Sequence, residues 1–141
     1  DNIVDGYFVF PFDINTTEWN GTQGWSAGGI ISTAADMAKF AQALMTGTLF
    51  NDPATLSVMT EFIEVSENEA VGNVGGIGYG TGLIEFAPGL WGHRGQTVGF
   101  TSIVAMDPAK DFLLIALANS AEATVGDEQR LMGHYLHLSE E

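Results

Sequence analysis

The stretch Trp91-Gly92-His93-Arg94-Gly95-Gln96-Thr97-Val98-Gly99-Phe100 gathers the residues of this chain best suited to chemistry. Glycines let a substrate or another backbone come close. Histidine donates a hydrogen bond or shuttles a proton near neutral pH. Arg94 adds a cation that stays charged. Backbone N–H groups after Gly95 can form an oxyanion pocket for a carbonyl becoming tetrahedral. The same residues also read as a tight turn around a structural histidine, and spacing alone leaves both readings open.

Other candidate clusters are thinner. His134 and His137 lie three apart, with Glu140 and Glu141 beyond. On a helix this spacing brings two imidazoles to one face, but a zinc site needs further ligands. Two solvated or half-buried histidines near a helix C-terminus, where the dipole favours positive charge, explain them as well. No metal and no cofactor is expected. Gly75-Gly76-Ile77-Gly78-Tyr79-Gly80 lacks the Gly-Lys-Ser/Thr ending of a phosphate loop and leads into a strand. Gly28-Gly29 suits crowded backbone. Ser26, Ser102 and Ser120 are the hydroxyls to weigh for a hydrolase built on His93, but none sits in the sharp strand–helix elbow such enzymes use.

Composition narrows the partners. The chain has 141 residues, with 18 acidic and 4 basic side chains, a net charge of −14, and no cysteine. Four scattered cations build no basic patch, so nucleic acids are excluded as expected partners, and anionic membranes are disfavoured. The missing cysteines remove disulfides, thiolate metal sites and cysteine nucleophiles. The apolar run Phe112–Ala118 is too short to span a bilayer. The length fits one domain able to bury roughly 68–70% of its unfolded surface. The first residues, Asp1-Asn2, read as the start of a processed or cut product.

The elements that must position the candidate residues follow from pattern. Residues 1–28 read as an aromatic loop region with a short strand at Gly6–Phe10; they include two N-x-T sequons, at Asn15 and Asn20. Residues 29–65 read as helical. Thr33 and Asp36 form a capping box, Met37, Phe40, Ala41 and Leu44 share one face, and Gly47 stops the helix. Asp52 and Pro53 start a second helix striped by Leu56, Met59, Phe62 and Ile63. Residues 66–76 read as an exposed acidic, glycine-rich loop. Residues 77–118 read as antiparallel strands at Ile77–Phe86, Leu90–His93, Phe100–Met106 and Phe112–Ala118. The last is apolar on both faces and is expected to be central in a sheet covered on both sides. Thr124 and Asp127 open a closing helix over 124–138. The fold class expected is α+β: an antiparallel sheet with packed helices, in a single domain over 1–141.

The segment Ser26–Phe40 (SAGGIISTAADMAKF), then Gly47-Thr48-Leu49, Gly78–Leu83 (GYGTGL), Gly92–Gly95 (GHRG) and Val98–Ser102 (VGFTS) follow one another in an order that resembles a known superfamily. It is that of the serine beta-lactamases and D-Ala-D-Ala carboxypeptidases, including the class C beta-lactamase-like hydrolases with their esterases and D-aminopeptidases. The family site joins a Ser-x-x-Lys nucleophile, a Tyr-x-Asn or Ser-x-Asn element and a Lys-Thr-Gly or His-x-Gly strand. The resemblance implies that His93-Arg94-Gly95 is the third element. His93 would polarise or anchor the substrate, the Gln96 N–H would serve as an oxyanion donor, and Arg94 and Thr97 would contact substrate. Asp36 and Gly28-Gly29 match positions that imply a helix cap and a close backbone approach.

The departures are specific. The residues three before Lys39 and Lys110 are Asp36 and Asp107, so Ser-x-x-Lys is absent. Tyr7, Tyr79 and Tyr135 lead to Val9, Thr81 and His137, so Tyr-x-Asn is absent too. Ser66-Glu67-Asn68 has the letters of Ser-x-Asn but follows the Gly28-Gly29 segment, whereas the family's second element precedes it. The chain therefore resembles the C-terminal portion of a serine hydrolase acting on peptide, ester or lactam carbonyls, with the last three strands or so of a five-stranded sheet. It is expected to be inactive alone. Its expected partner is the missing N-terminal portion, or a second copy bound through an exposed sheet edge. A non-catalytic binding or assembly module docking through the aromatic residues of 1–28 is the alternative. The resemblance also implies a periplasmic or extracellular protein.

Overall fold

Twelve residues, Ala34–Met45, form the longest helix, and its start shows why. In a computed structural model that describes residues 3–9, 11–65, 76–121 and Tyr135, the Thr33 side chain accepts the Asp36 N–H at 3.1 Å and donates to the Asp36 carboxylate at 3.1 Å. The capping box thus satisfies an otherwise orphaned N–H. Lys39 Nζ closes on Asp36 at 2.7 Å. Gly47, at φ +70°, takes the left-handed position that ends the helix. The described residues fall into two compact units: Ser32–Arg94 with Ile103–Ala116, and Asp1–Ile31 with Gly95–Ser102 and Leu117–Glu141.

The unit beginning at Ser32 holds the helical hairpin and most of the sheet. Ala34–Met45 is α2 and Ala54–Met59 is α3 (α1, Trp25–Gly28, belongs to the other unit). Pro53, not Asp52, is the N-cap residue of α3, and Asp52 Oδ1 accepts the Ala54 N–H at 2.9 Å from one residue before it. A six-stranded sheet runs in sequence order: β3 (Ile63–Glu64), β4 (Gly78–Tyr79), β5 (Ile84–Ala87), β6 (Leu90–Thr97), β7 (Phe100–Asp107) and β8 (Phe112–Ala118). The last three strands cross from one unit to the other along their own length. Ala41 and Leu44 of α2 bury against Leu83, Trp91 and Met106, with Leu56, Met59 and Phe62 packed around them. Gly92 is required here: a Cβ on it would run into the Val104 carbonyl of β7.

The unit beginning at Asp1 has its expected short strand, at Tyr7–Phe8, and further small elements where a loop was expected. β1 (Tyr7–Phe8) and β2 (Ile14–Asn15) pair antiparallel, Tyr7 against Asn15. A 3-10 turn at Gly21–Gln23 is capped by Asn20, and α1 follows. The Thr16 hydroxyl is buried 3.1 Å from Gly6 O and 3.2 Å from Val98 O. Tyr7 N–H donates to Asn119 O at 3.0 Å, and Ala121 N–H donates to Tyr7 O at 2.9 Å. The segment is therefore laced to the β6–β7 turn and to residues after β8 by main-chain bonds, which hydropathy does not encode.

The α+β class with an antiparallel sheet is the observed one. Details differ. Ile77–Phe86 is two strands, because Gly80 N–H bonds Leu83 O at 2.8 Å and Gly82 adopts φ +73°. β6 extends to Thr97, four residues past the expected end. The sheet includes the two-residue strands β3 and β4, which pair Ile63 with Tyr79. α3 ends at Met59, so of the expected stripe Phe62 packs on the core from beyond the helix and Ile63 lies exposed in β3. Among the described residues β8 is the end strand, where a central one was expected, and its residues are mostly half-buried. An apolar strand pattern reports that both faces avoid water, not that both edges are paired. The expected closing helix (124–138), the loop at 66–75 and the 134/137 histidine pair lie outside the described residues, apart from Tyr135, which is helical and buried.

The Asp36 carboxyl sits below its ordinary value because Lys39 and Thr33 hydrogen-bond it and the Lys39 charge attracts it. A depressed carboxylate contributes stability above its unfolded pKa and loses it as pH falls through the folded value. Thermal melts from pH 6 to pH 2 should therefore show a loss at the acid end that Asp36→Asn lacks. Thr33→Ala, which removes the cap acceptor, should cost about 1 kcal/mol at neutral pH in urea unfolding.

Candidate active site

Strand alternation places Trp91 and His93 on one face of β6. Trp91 is buried in the core and His93 is exposed, so the strand carries its site residue one step beyond its anchor. β5 pairs with β6 only through Ile84–Gly92, Glu85–Trp91 and Ala87–Leu90. From His93 onward β6 has no β5 partner among the described residues. A stretch of strand without a neighbouring strand is one where main-chain groups can meet a ligand.

His93 has a side-chain partner that motif matching does not find. Tyr79 Oη lies 3.4 Å from His93 Nε2. The two rings meet edge to face, with centroids 6.4 Å apart and planes at 80°. A phenol donating to Nε2 leaves the imidazole proton on Nδ1 and fixes the ring's direction. β4 positions Tyr79 through Tyr79–Ile84 pairing with β5. Tyr79 failed the Tyr-x-Asn test on letters. The usable signal was its place between Gly78 and Gly80, where backbone runs close to its neighbours.

The other motif residues are placed as follows. Arg94 is half-buried and engaged. Gly95 approaches Ser102, whose hydroxyl would lie 3.0 Å from a Cβ placed there. Gln96 uses its side-chain amide to donate to the Ala121 carbonyl. Thr97 packs on Gly28, where a Cβ would come within 2.8 Å of Thr97 Cγ2. Gly28 thus supplies the close approach its motif implies. His93 takes Tyr79 as its hydrogen-bond partner, while Ser26, Ser102 and Ser120 belong to the other compact unit.

Within the Ser32 unit an open cavity of about 320 Å³ lies against the histidine. Met37, Phe40 and Leu44 of α2, Met59 of α3 and Val104 and Met106 of β7 line it, with His93 as the polar side chain in the lining. No group of three His, Cys, Asp or Glu among the described residues is arranged to hold a metal ion. No described helix is long and apolar enough to cross a membrane.

Comparisons with known proteins bear on the family and the fold. The family model described as Beta-lactamase matches residues 4–137. A crystal structure of a D-stereospecific amidohydrolase from Streptomyces superposes with a TM-score of 0.69 at 23% identity, over 86% of this chain and 36% of that chain. The chain therefore spans about a third of the length of that solved structure. No curated protein matches.

Replacing Tyr79 tests the pair directly. Long-range proton–nitrogen spectra of the chain should show His93 protonated on Nδ1. In Tyr79→Phe they should show a shift toward the Nε2 tautomer, with the fold intact. An unchanged tautomer removes Tyr79 from the site.

Proposed function

This chain belongs to the Beta-lactamase family, and on that premise we propose that it carries the third element of a serine hydrolase site. The end of β5–β6 pairing at Gly92 among the described residues, with His93 next along β6, is the observation that supports this reading most directly. In the proposed reaction a serine supplied from outside these 141 residues attacks a peptide, ester or lactam carbonyl. The amine or alcohol leaves, and water then releases the acyl group from that serine. His93 anchors or polarises the substrate beside the carbonyl. The Gln96 N–H donates to the oxyanion, which forms only in the transition state and so gains most from a fixed dipole. Arg94 and Thr97 contact the substrate. The solved neighbour is an amidohydrolase, which favours an amide carbonyl. A D-Ala-D-Ala carboxypeptidase or penicillin-binding activity falls within the same proposal.

The 141 residues hold no Ser-x-x-Lys, so the chain by itself is proposed to be inactive. Its partner is the remainder of the site, or a second copy meeting the edge of β8, where Leu117 is 46% exposed. A non-catalytic docking module is the second reading. It draws support from Phe12, Trp19 and Trp25, which are 70%, 52% and 83% exposed in the Asp1 unit.

Nitrocefin, p-nitrophenyl esters and D-amino-acid amides added to the isolated chain should give no burst and no acylated species by mass spectrometry. A covalent penicillin adduct on one of its serines overturns this. Sedimentation should show an assembly heavier than 15.0 kDa that Leu117→Lys weakens. A monodisperse monomer with cooperative unfolding removes the partner proposal. A reading frame encoding Ser-x-x-Lys upstream supports the hydrolase over the docking module.

A further inference from the structure

The apolar cavity beside His93 takes no part in the reaction as proposed. We infer that it is a subsite for one apolar side chain of the substrate, an aromatic ring or a branched aliphatic group next to the carbonyl that His93 addresses. This rests on the hydrolase reading and names its substrate class.

The lining sets the chemistry. Met37, Phe40, Leu49, Met59, Val104 and Met106 present carbon and thioether surface, and His93 alone brings a polar side chain. A charged or hydrogen-bonding group placed among them loses water without gaining a partner. Thioethers adapt their shape and make favourable contacts with aromatic rings, and three of the side chains just named are methionines. Phe40 and Leu49 are 52% and 44% exposed, so the cavity reaches the surface through apolar residues. Large apolar side chains exposed together mark a place for an apolar ligand.

Size and position select the occupant. A volume of about 320 Å³ is at the lower end for small-molecule sites. It suits one ring or branched chain. The lining includes His93 itself, so a group seated in the cavity is tethered to whatever His93 contacts. The substrate class is therefore an amide or ester whose acyl part bears a bulky apolar side chain.

The test uses the chain with carbon-13 methionine methyls, titrated with N-acetylphenylalaninamide and with N-acetylglycinamide, which lacks the side chain. The aromatic amide should shift the methyls of Met37, Met59 and Met106 together and saturably. Met45, which packs on the core but does not line the cavity, should respond far less. Leu49→Trp fills the opening at an exposed position without repacking the core, and should weaken binding about 10-fold or more. An equal response to the glycine amide, shifts led by Met45, or unchanged affinity in a folded Leu49→Trp overturns the inference. Methyl shifts that follow protein concentration without added amide assign the cavity to a second copy and overturn it as well. Binding needs no turnover, so its failure is distinct from failure of the acylation assay that judges the hydrolase reading.

Discussion

The break in pairing between β5 and β6 is the constraint on which the candidate site depends. Up to Gly92 the strand is held on both sides, by β5 and by β7. Beyond it no described residue of β5 pairs with the strand. A strand paired along its whole length would have no main-chain groups left for a ligand, and one unpaired along its whole length would not hold its direction. Gly92 marks the changeover, since only a residue without Cβ lets β6 come this close to the Val104 carbonyl. Trp91, buried one residue earlier, locks the strand to the core and so determines where His93 emerges.

Around that strand, polar side chains are mostly engaged in local structure. The two lysines both sit three residues after an aspartate, and both close ion pairs, at 2.7 Å to Asp36 and 3.3 Å to Asp107. Asp107 is buried and its carboxylate also accepts the Ala109 and Lys110 N–H groups at 2.9 and 3.3 Å. Asp107 thereby caps the turn at Pro108–Lys110, whereas Asp36 is the partner of the Thr33 cap of α2. The spacing that disqualified both lysines from a nucleophile motif thus has its own structural role. It leaves His93, with Tyr79 beside it, as the titratable group facing the cavity among the described residues.

Much of the fold was legible, for reasons that differ by element. α2 was readable because its cap, stripe and stop are local, each decided within four residues. The β7–β8 hairpin was readable because Asp107-Pro108 has few conformations open to it. Residues 1–28 were not, since their partners at Val98, Gly99 and 119–121 lie far along the chain. β8 misled because hydropathy records burial of faces and is silent on edges. The motif singled out His93 through Thr97 as candidates, whereas Tyr79, 3.4 Å from His93, was missed because its position depends on pairing across β4 and β5.

The sequence by itself determined the superfamily, the α+β class and the absence of Ser-x-x-Lys, because these reside in residue identities and in their order along the chain. It also determined α2 and its cap, which need only neighbours a turn away. The tertiary structure alone decided which phenol meets His93, where β6 loses its β5 partner, and that an apolar cavity opens against the histidine. Each of these arises from residues distant in sequence brought side by side by strand pairing, and no local pattern carries the register of that pairing.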